Sequence, residues 1–134
     1  VQIGGDGNDK LTGGGGNDKL NGTGDRFGIG EIDELTGGSG RDTFVLGDTR
    51  NVFYSRQTAF DYALINDVEV RQDTIELHGE IADYVLAPTT GDLPQGTGLY
   101  LDVDSSGEFT LGTDELIAIS TQTLSSLENG FSFV

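Results

Sequence analysis

The chain has 134 residues and no cysteine, and its 23 acidic against 7 basic side chains give a formal charge of −16. That balance speaks against the basic patches that hold nucleic acid or anionic membrane, and it favours a partner that is itself a cation. Without cysteine there is no disulfide framework and no thiolate metal site, and no apolar run reaches the length of a membrane-spanning helix.

The first 47 residues hold 15 of the 22 glycines, and these glycines are ordered. Gly4-Gly5-Asp6-Gly7-Asn8-Asp9-Lys10-Leu11-Thr12 is followed directly by Gly13-Gly14-Gly15-Gly16-Asn17-Asp18-Lys19-Leu20-Asn21. A third full copy of G-G-x-G-x-D-x-(apolar)-x stands at Gly37-Gly38-Ser39-Gly40-Arg41-Asp42-Thr43-Phe44-Val45. A tandem nonapeptide of this kind predicts a parallel β-roll, in which each turn of the coil takes two repeats. The intervening stretch 22–36 is one repeat plus six residues. Its last nine, Gly28 to Thr36, keep Asp33 and Leu35 in register, while Ile29 and Glu31 stand where the pattern has glycines. This stretch reads as one enlarged loop, 22–33.

Loops 4–9 and 22–33 are therefore expected to stack on one side of the coil, and loops 13–18 and 37–42 on the other. Short strands at 10–12, 19–21, 34–36 and 43–45 run between them, with Leu11, Leu20, Leu35 and Phe44 pointing inward and their neighbours outward. Ile3 is one position off the apolar slot, so the first strand is imperfect.

Residues 48–134 alternate like ordinary β-sequence, with candidate strands at 51–55, 61–66, 73–77, 83–87, 97–103 and 114–120. Pro88, Gly91 and Pro94 mark a turn, and 121–129 carries a weak helical option. The predicted fold is all-β. It comprises a parallel β-roll over 1–47 and a β-rich, antiparallel cap over 48–134 that covers the open end of the coil.

The repeat also describes a ligand. Calcium takes six to eight hard oxygen ligands, mixing carboxylates and backbone carbonyls. Glycines at positive φ turn carbonyls toward one point, and the aspartate at the sixth position adds charge. One loop supplies about half of such a shell, so the ion must sit between stacked loops. Gly14, Gly16 and Asp18 with Gly38, Gly40 and Asp42 form the best candidate site. Gly5, Gly7 and Asp9 face the enlarged loop, where Asp33 and Asp25 are the candidate carboxylates. At least two calcium ions are expected, and their binding closes the coil and so couples to folding.

Other constellations read more plainly. Asp102-Val103-Asp104-Ser105-Ser106-Gly107 resembles the first half of an EF-hand loop, but Thr113 stands where that loop needs glutamate and the flanks read as strands. It is expected to be a polar hairpin turn. Asp67 and Asp73 are expected to be solvated turn carboxylates. His78, the single histidine, is expected at the surface or at a strand end. G-x-S-x-G, H-E-x-x-H and phosphate-loop motifs are absent, and the chain is not expected to be an enzyme.

The nonapeptides resemble the RTX, or hemolysin-type, calcium-binding domain of exported bacterial proteins. Asp61-Tyr62-Ala63-Leu64-Ile65-Asn66-Asp67-Val68 with Gln72-Asp73-Thr74-Ile75-Glu76-Leu77 is similar to the segment that follows the repeats in serralysin-like proteases. Thr43 to Asp48 and Leu99 to Asp102 look like segments of cyanobacterial members. The resemblance implies export by a type I secretion apparatus reading an uncleaved C-terminal signal, and a secreted or cell-surface location. It also implies a chain that stays unfolded in the calcium-poor cytosol and folds on Ca2+ outside. Asn129 to Val134 is similar to the tails of such substrates, and reads equally as a final edge strand. Neither nucleic acid nor membrane insertion is expected, and upstream domains in a longer chain are compatible with this reading. Two alternatives remain at this stage: a calcium-rigidified adhesin or surface-layer module, and an accessory domain of a secreted hydrolase.

Overall fold

Through its first eight strands the chain alternates between two sheets, as a coil must. The computed structural model describes residues 1–24, 27–56 and 60–134. The strands are β1 (Gln2–Gly5), β2 (Lys10–Gly15), β3 (Lys19–Thr23), β4 (Ile32–Ser39), β5 (Thr43–Val45), β6 (Tyr62–Ile65), β7 (Thr74–Leu77), β8 (Tyr84–Pro88), β9 (Thr97–Leu101), β10 (Glu115–Ser120) and β11 (Phe131–Phe133). A single 3-10 turn at Ile81–Asp83 is the only helical segment among the described residues. The fold is all-β.

One sheet has the order β1-β3-β5-β7-β11 and the other β2-β4-β6-β10-β9-β8. The register follows the repeat. Gln2 lies opposite Leu20, 18 positions on, which is one turn of two nonapeptides. Leu11 lies opposite Leu35 and Leu20 opposite Phe44. Each of these offsets is 24, the two repeats plus the six extra residues of the enlarged loop. Gln2 takes the inward slot of β1 and leaves Ile3 exposed, which is the imperfection expected there.

The inward apolar positions form ladders. Leu20, Phe44 and Ile75 stack in the first sheet and Leu35 and Ile65 in the second, all of them buried. Burying one such side chain stabilises by roughly 1.5–3 kcal/mol, so the interior holds each turn against the next. A second apolar layer, Tyr62, Val85, Tyr100, Leu116 and Ile119, covers the outer face of the larger sheet. Phe109 closes it with its ring centroid 4.2 Å from that of Tyr100.

The region expected to be a β-rich, antiparallel cap is β-rich, and its pairing is mixed. β6 pairs in parallel with β4, β7 with β5, β10 with β6 and β11 with β7. Among the described strands only the β8-β9-β10 pairings are antiparallel. The roll therefore continues across residue 47 as larger turns, with Phe44 opposite Ile75 and Ile75 opposite Phe131. Strand alternation is the same for parallel and antiparallel pairing, so periodicity could not distinguish them.

Two further expectations fail. Residues 51–55 form no strand beyond an isolated Gly47–Val52 bridge, because Asp48 Oδ1 accepts the Arg50 and Asn51 amides in a turn and Tyr54 has φ +55. Residues 121–129 hold bends and turns, not a helix. The end of the chain does form an edge strand, β11.

Candidate metal centre

The stacked loops owe their shape to alternate glycines. Gly5, Gly7, Gly14, Gly16, Gly38 and Gly40 all have φ between 96° and 121°, a region that side chains rarely adopt. Loop 13–18 lies on loop 37–42. The Gly16 amide donates to the Ser39 carbonyl at 2.9 Å, and the Thr43 amide to the Asp18 carbonyl at 2.8 Å. The Gly14 and Gly16 carbonyls face Gly38 and Gly40 so closely that a Cβ on either glycine would collide with them. The spacing thus brings Gly14, Gly16, Asp18, Gly38, Gly40 and Asp42 into one stack.

Within it the aspartates follow one rule. Asp42 Oδ1 accepts the Asp18 amide at 2.8 Å, and Asp33 Oδ1 accepts the Asp9 amide at 2.8 Å on the opposite side. The second oxygen turns toward the first glycine of its own loop. A Cβ on Gly4 would lie 2.5 Å from Asp9 Oδ2, one on Gly13 2.8 Å from Asp18 Oδ2 and one on Gly37 2.5 Å from Asp42 Oδ2. Those three Oδ2 atoms are buried and have no hydrogen-bond partner. A buried carboxylate oxygen without a donor is strongly unfavourable unless a cation meets it. Burial raises the Asp42 pKa, and the neighbouring carboxylates of Asp73, Asp18 and Asp67 raise it further. Bare carboxylate oxygens beside glycine carbonyls are the donor set of a hard divalent cation, and they fit calcium.

The next turn closes this stack with protein groups. Asp67 accepts the Gly37 and Gly38 amides, each at 2.8 Å. Asp73 accepts the Asp42 amide at 2.9 Å and the Glu69 amide at 2.9 Å. Both were expected as solvated carboxylates. They are instead a continuation of the aspartate ladder, because the roll itself continues. Asn8 and Asn17, unassigned by sequence reasoning, hold adjacent loops by accepting the Ile32 and Arg41 amides. Their signal was present, since both occupy the fifth position of their repeats.

The enlarged loop is built differently. Asp25 lies outside the described residues. Gly28 and Gly30 take the positive φ angles here, one residue earlier than the repeat register, which frees Ile29 and Glu31 from that constraint. Asp33 is fully buried, and its Oδ2 is not bare: the Tyr54 hydroxyl donates to it at 2.6 Å. Burial raises the Asp33 pKa to about 6, against the lowering effect of the Tyr54 and Asp9 hydrogen bonds, and the Glu31 and Asp9 carboxylates add to the rise. The Tyr54 hydroxyl is itself pushed upward by burial and by Asp33. Residues 53–54 brace the loop. Phe27 and Phe53 stack at 5.6 Å, and the Tyr54 amide donates to the Phe27 carbonyl at 2.9 Å.

A third acidic group sits between β9 and β10. Oxygens of Asp102, Asp104 and Asp114 lie within 4.8 Å of one another. Asp102 accepts the Ser106 and Gly107 amides, and Asp114 those of Val103 and Thr110. Hydrogen bonds, first from the Thr110 hydroxyl, hold the exposed Asp104 down to about 2. These carboxylates organise the polar hairpin expected from the sequence. His78 follows β7, with Nδ1 2.7 Å from the Asp48 carbonyl.

Comparison with known families agrees with the loop chemistry. Residues 3–26 and 27–56 match the model of the RTX calcium-binding nonapeptide repeat (4 copies). These residues are RTX calcium-binding repeats. No curated protein matches the chain. In these RTX repeats the sixth-position Asp9, Asp18 and Asp42 carry the bare buried oxygens, and Asp33 departs from them through its tyrosine partner.

Tyr54→Phe keeps the ring and removes only that donor. It should destabilise the protein by roughly 1–3 kcal/mol, the effect of leaving a buried acceptor unsatisfied. Urea unfolding in saturating calcium checks this, and unchanged stability would show that the hydroxyl does not support Asp33.

Proposed function

We propose that this chain is a calcium-dependent folding module of a bacterial protein exported by a type I apparatus, and that it folds on Ca2+ outside the cell. The observation that carries the reading is the row of buried, donorless Asp9, Asp18 and Asp42 oxygens in a chain of charge −16. Such a chain repels itself when compact, and burying its carboxylates without a counter-ion opposes folding. Calcium reverses both effects, so metal-binding free energy becomes folding free energy. Cytosol poor in calcium then leaves the chain unfolded and fit for export, and calcium outside closes the coil.

At least two ions are assigned, one on each side of the roll. Gly14, Gly16, Asp18, Gly38, Gly40 and Asp42 hold the first. Gly5, Gly7 and Asp9 contribute to the second. The module's role is structural, with no reaction assigned to it. Its location is extracellular or at the cell surface.

Titration calorimetry tests the first site. Asp18→Ala with Asp42→Ala should lower the number of bound calcium ions by at least one, and an unchanged number would contradict the loop pairing. Export is tested separately, with a reporter carrying this chain at its C-terminus in cells that express a type I exporter. The reporter should appear intact in the medium. Retention in the cytosol at equal expression would favour a calcium-stiffened surface module over a secretion module.

A further inference from the structure

On the enlarged-loop side, the aspartate that the repeat provides has both oxygens engaged. Asp33 Oδ1 accepts the Asp9 amide and Oδ2 the Tyr54 hydroxyl. A different carboxylate has an oxygen to spare. Glu31 is only 5 % exposed, its Oε1 accepts the Gly7 amide at 2.8 Å, and its Oε2 is buried without a hydrogen-bond partner. Glu31 thus reaches from the second loop of this side back onto the first, the loop that also carries Asp9 with its bare Oδ2. No described basic side chain forms an ion pair with Glu31 or Asp9; Lys10 pairs with Glu34 and Lys19 with Glu76, on the strands.

We propose that Glu31, and not Asp33, is the acidic ligand that the enlarged loop gives to a calcium ion shared with Asp9. This assignment rests on the calcium reading above. The extra methylene of glutamate lets a residue two positions before Asp33 place an oxygen into the loop stack. The shift of the positive-φ glycines to Gly28 and Gly30 allows a side chain at position 31 at all. Tyr54 withdraws Asp33 from the metal and makes it a fixed part of the loop wall. The departure from the repeat at Glu31 therefore replaces one ligand by another and keeps the site.

The test counts ions on the full chain by equilibrium dialysis against calcium with elemental analysis, and measures affinities by calorimetry. Circular dichroism in saturating calcium checks that each variant is folded. Glu31→Gln keeps the acceptor for Gly7 and loses the charge; it should lose one ion, or bind it at least tenfold more weakly. Asp33→Asn should keep the full count. A full count at unchanged affinity in Glu31→Gln overturns the assignment, as does loss of the ion in Asp33→Asn alone. If Glu31→Gln does not fold, Glu31→Asp, which keeps the charge and shortens the reach, is counted in the same way. One ion lost or held at least tenfold more weakly supports the assignment, and a full count at unchanged affinity overturns it. A wild-type chain that binds no calcium overturns the underlying reading together with this one, whereas a calcium-binding wild type with an unaffected Glu31→Gln overturns this one alone.

Discussion

The structure depends on what happens to one oxygen of each sixth-position aspartate. The other oxygen is committed to the backbone of the neighbouring loop where a stacked partner exists, as in the Asp42–Asp18 and Asp33–Asp9 contacts. The remaining oxygen faces inward, toward a glycine that has no side chain to meet it. Hydrophobic ladders behind the loops supply cohesion, but they cannot neutralise a carboxylate. Stacking brings Asp18, Asp42, Asp67 and Asp73 together on one side of the roll, where each like charge makes the next harder to keep ionised. A divalent cation between loops removes both penalties at once. The glycines, the aspartates and the strong negative charge of the chain then form a single arrangement.

The same ladder shows three ways of answering that oxygen within one protein. In the three regular loops, at Asp9, Asp18 and Asp42, it is buried without a donor. At Asp33 a tyrosine hydroxyl answers it, held by a residue in the left-handed region that side chains rarely occupy. Strain of this kind persists only where surrounding contacts enforce it, and the Phe27–Phe53 stack and the Phe27 carbonyl do so here. At Asp73 the Glu69 backbone amide answers it, while the other oxygen accepts the Asp42 amide. The roll thus passes from turns with bare carboxylate oxygens to turns closed by protein groups. Its later turns are longer, and among the described strands the larger sheet ends in an antiparallel run, β8-β9-β10.

Much of this was legible in the sequence. The nonapeptide fixed the strand positions, the inward Leu20, Leu35 and Phe44, and the pairing of loop 13–18 with loop 37–42. The six-residue excess in 22–36 reappears as the 24-residue offset between Leu11 and Leu35. The continuation of the coil past residue 47 was not legible, because β6 and β7 carry no glycine repeat and their alternation suits either direction of pairing. Tyr54 could not be found from spacing, since its contact with Asp33 spans 21 residues and needs an unusual backbone angle. Glu31 was visible only as a departure from the pattern. Its meaning comes from a side chain folded back onto Gly7, a contact that no local rule predicts.

The most direct test of the account is a calcium titration of the chelated protein followed by far-UV circular dichroism. The account predicts a weak β-signal in chelator and a cooperative gain as calcium is added, because the buried carboxylates are compatible with the compact coil only when the metal meets them. A chain already fully folded in chelator, with a spectrum that calcium leaves unchanged, would contradict it. The ladders and the longer turns would then carry the fold alone.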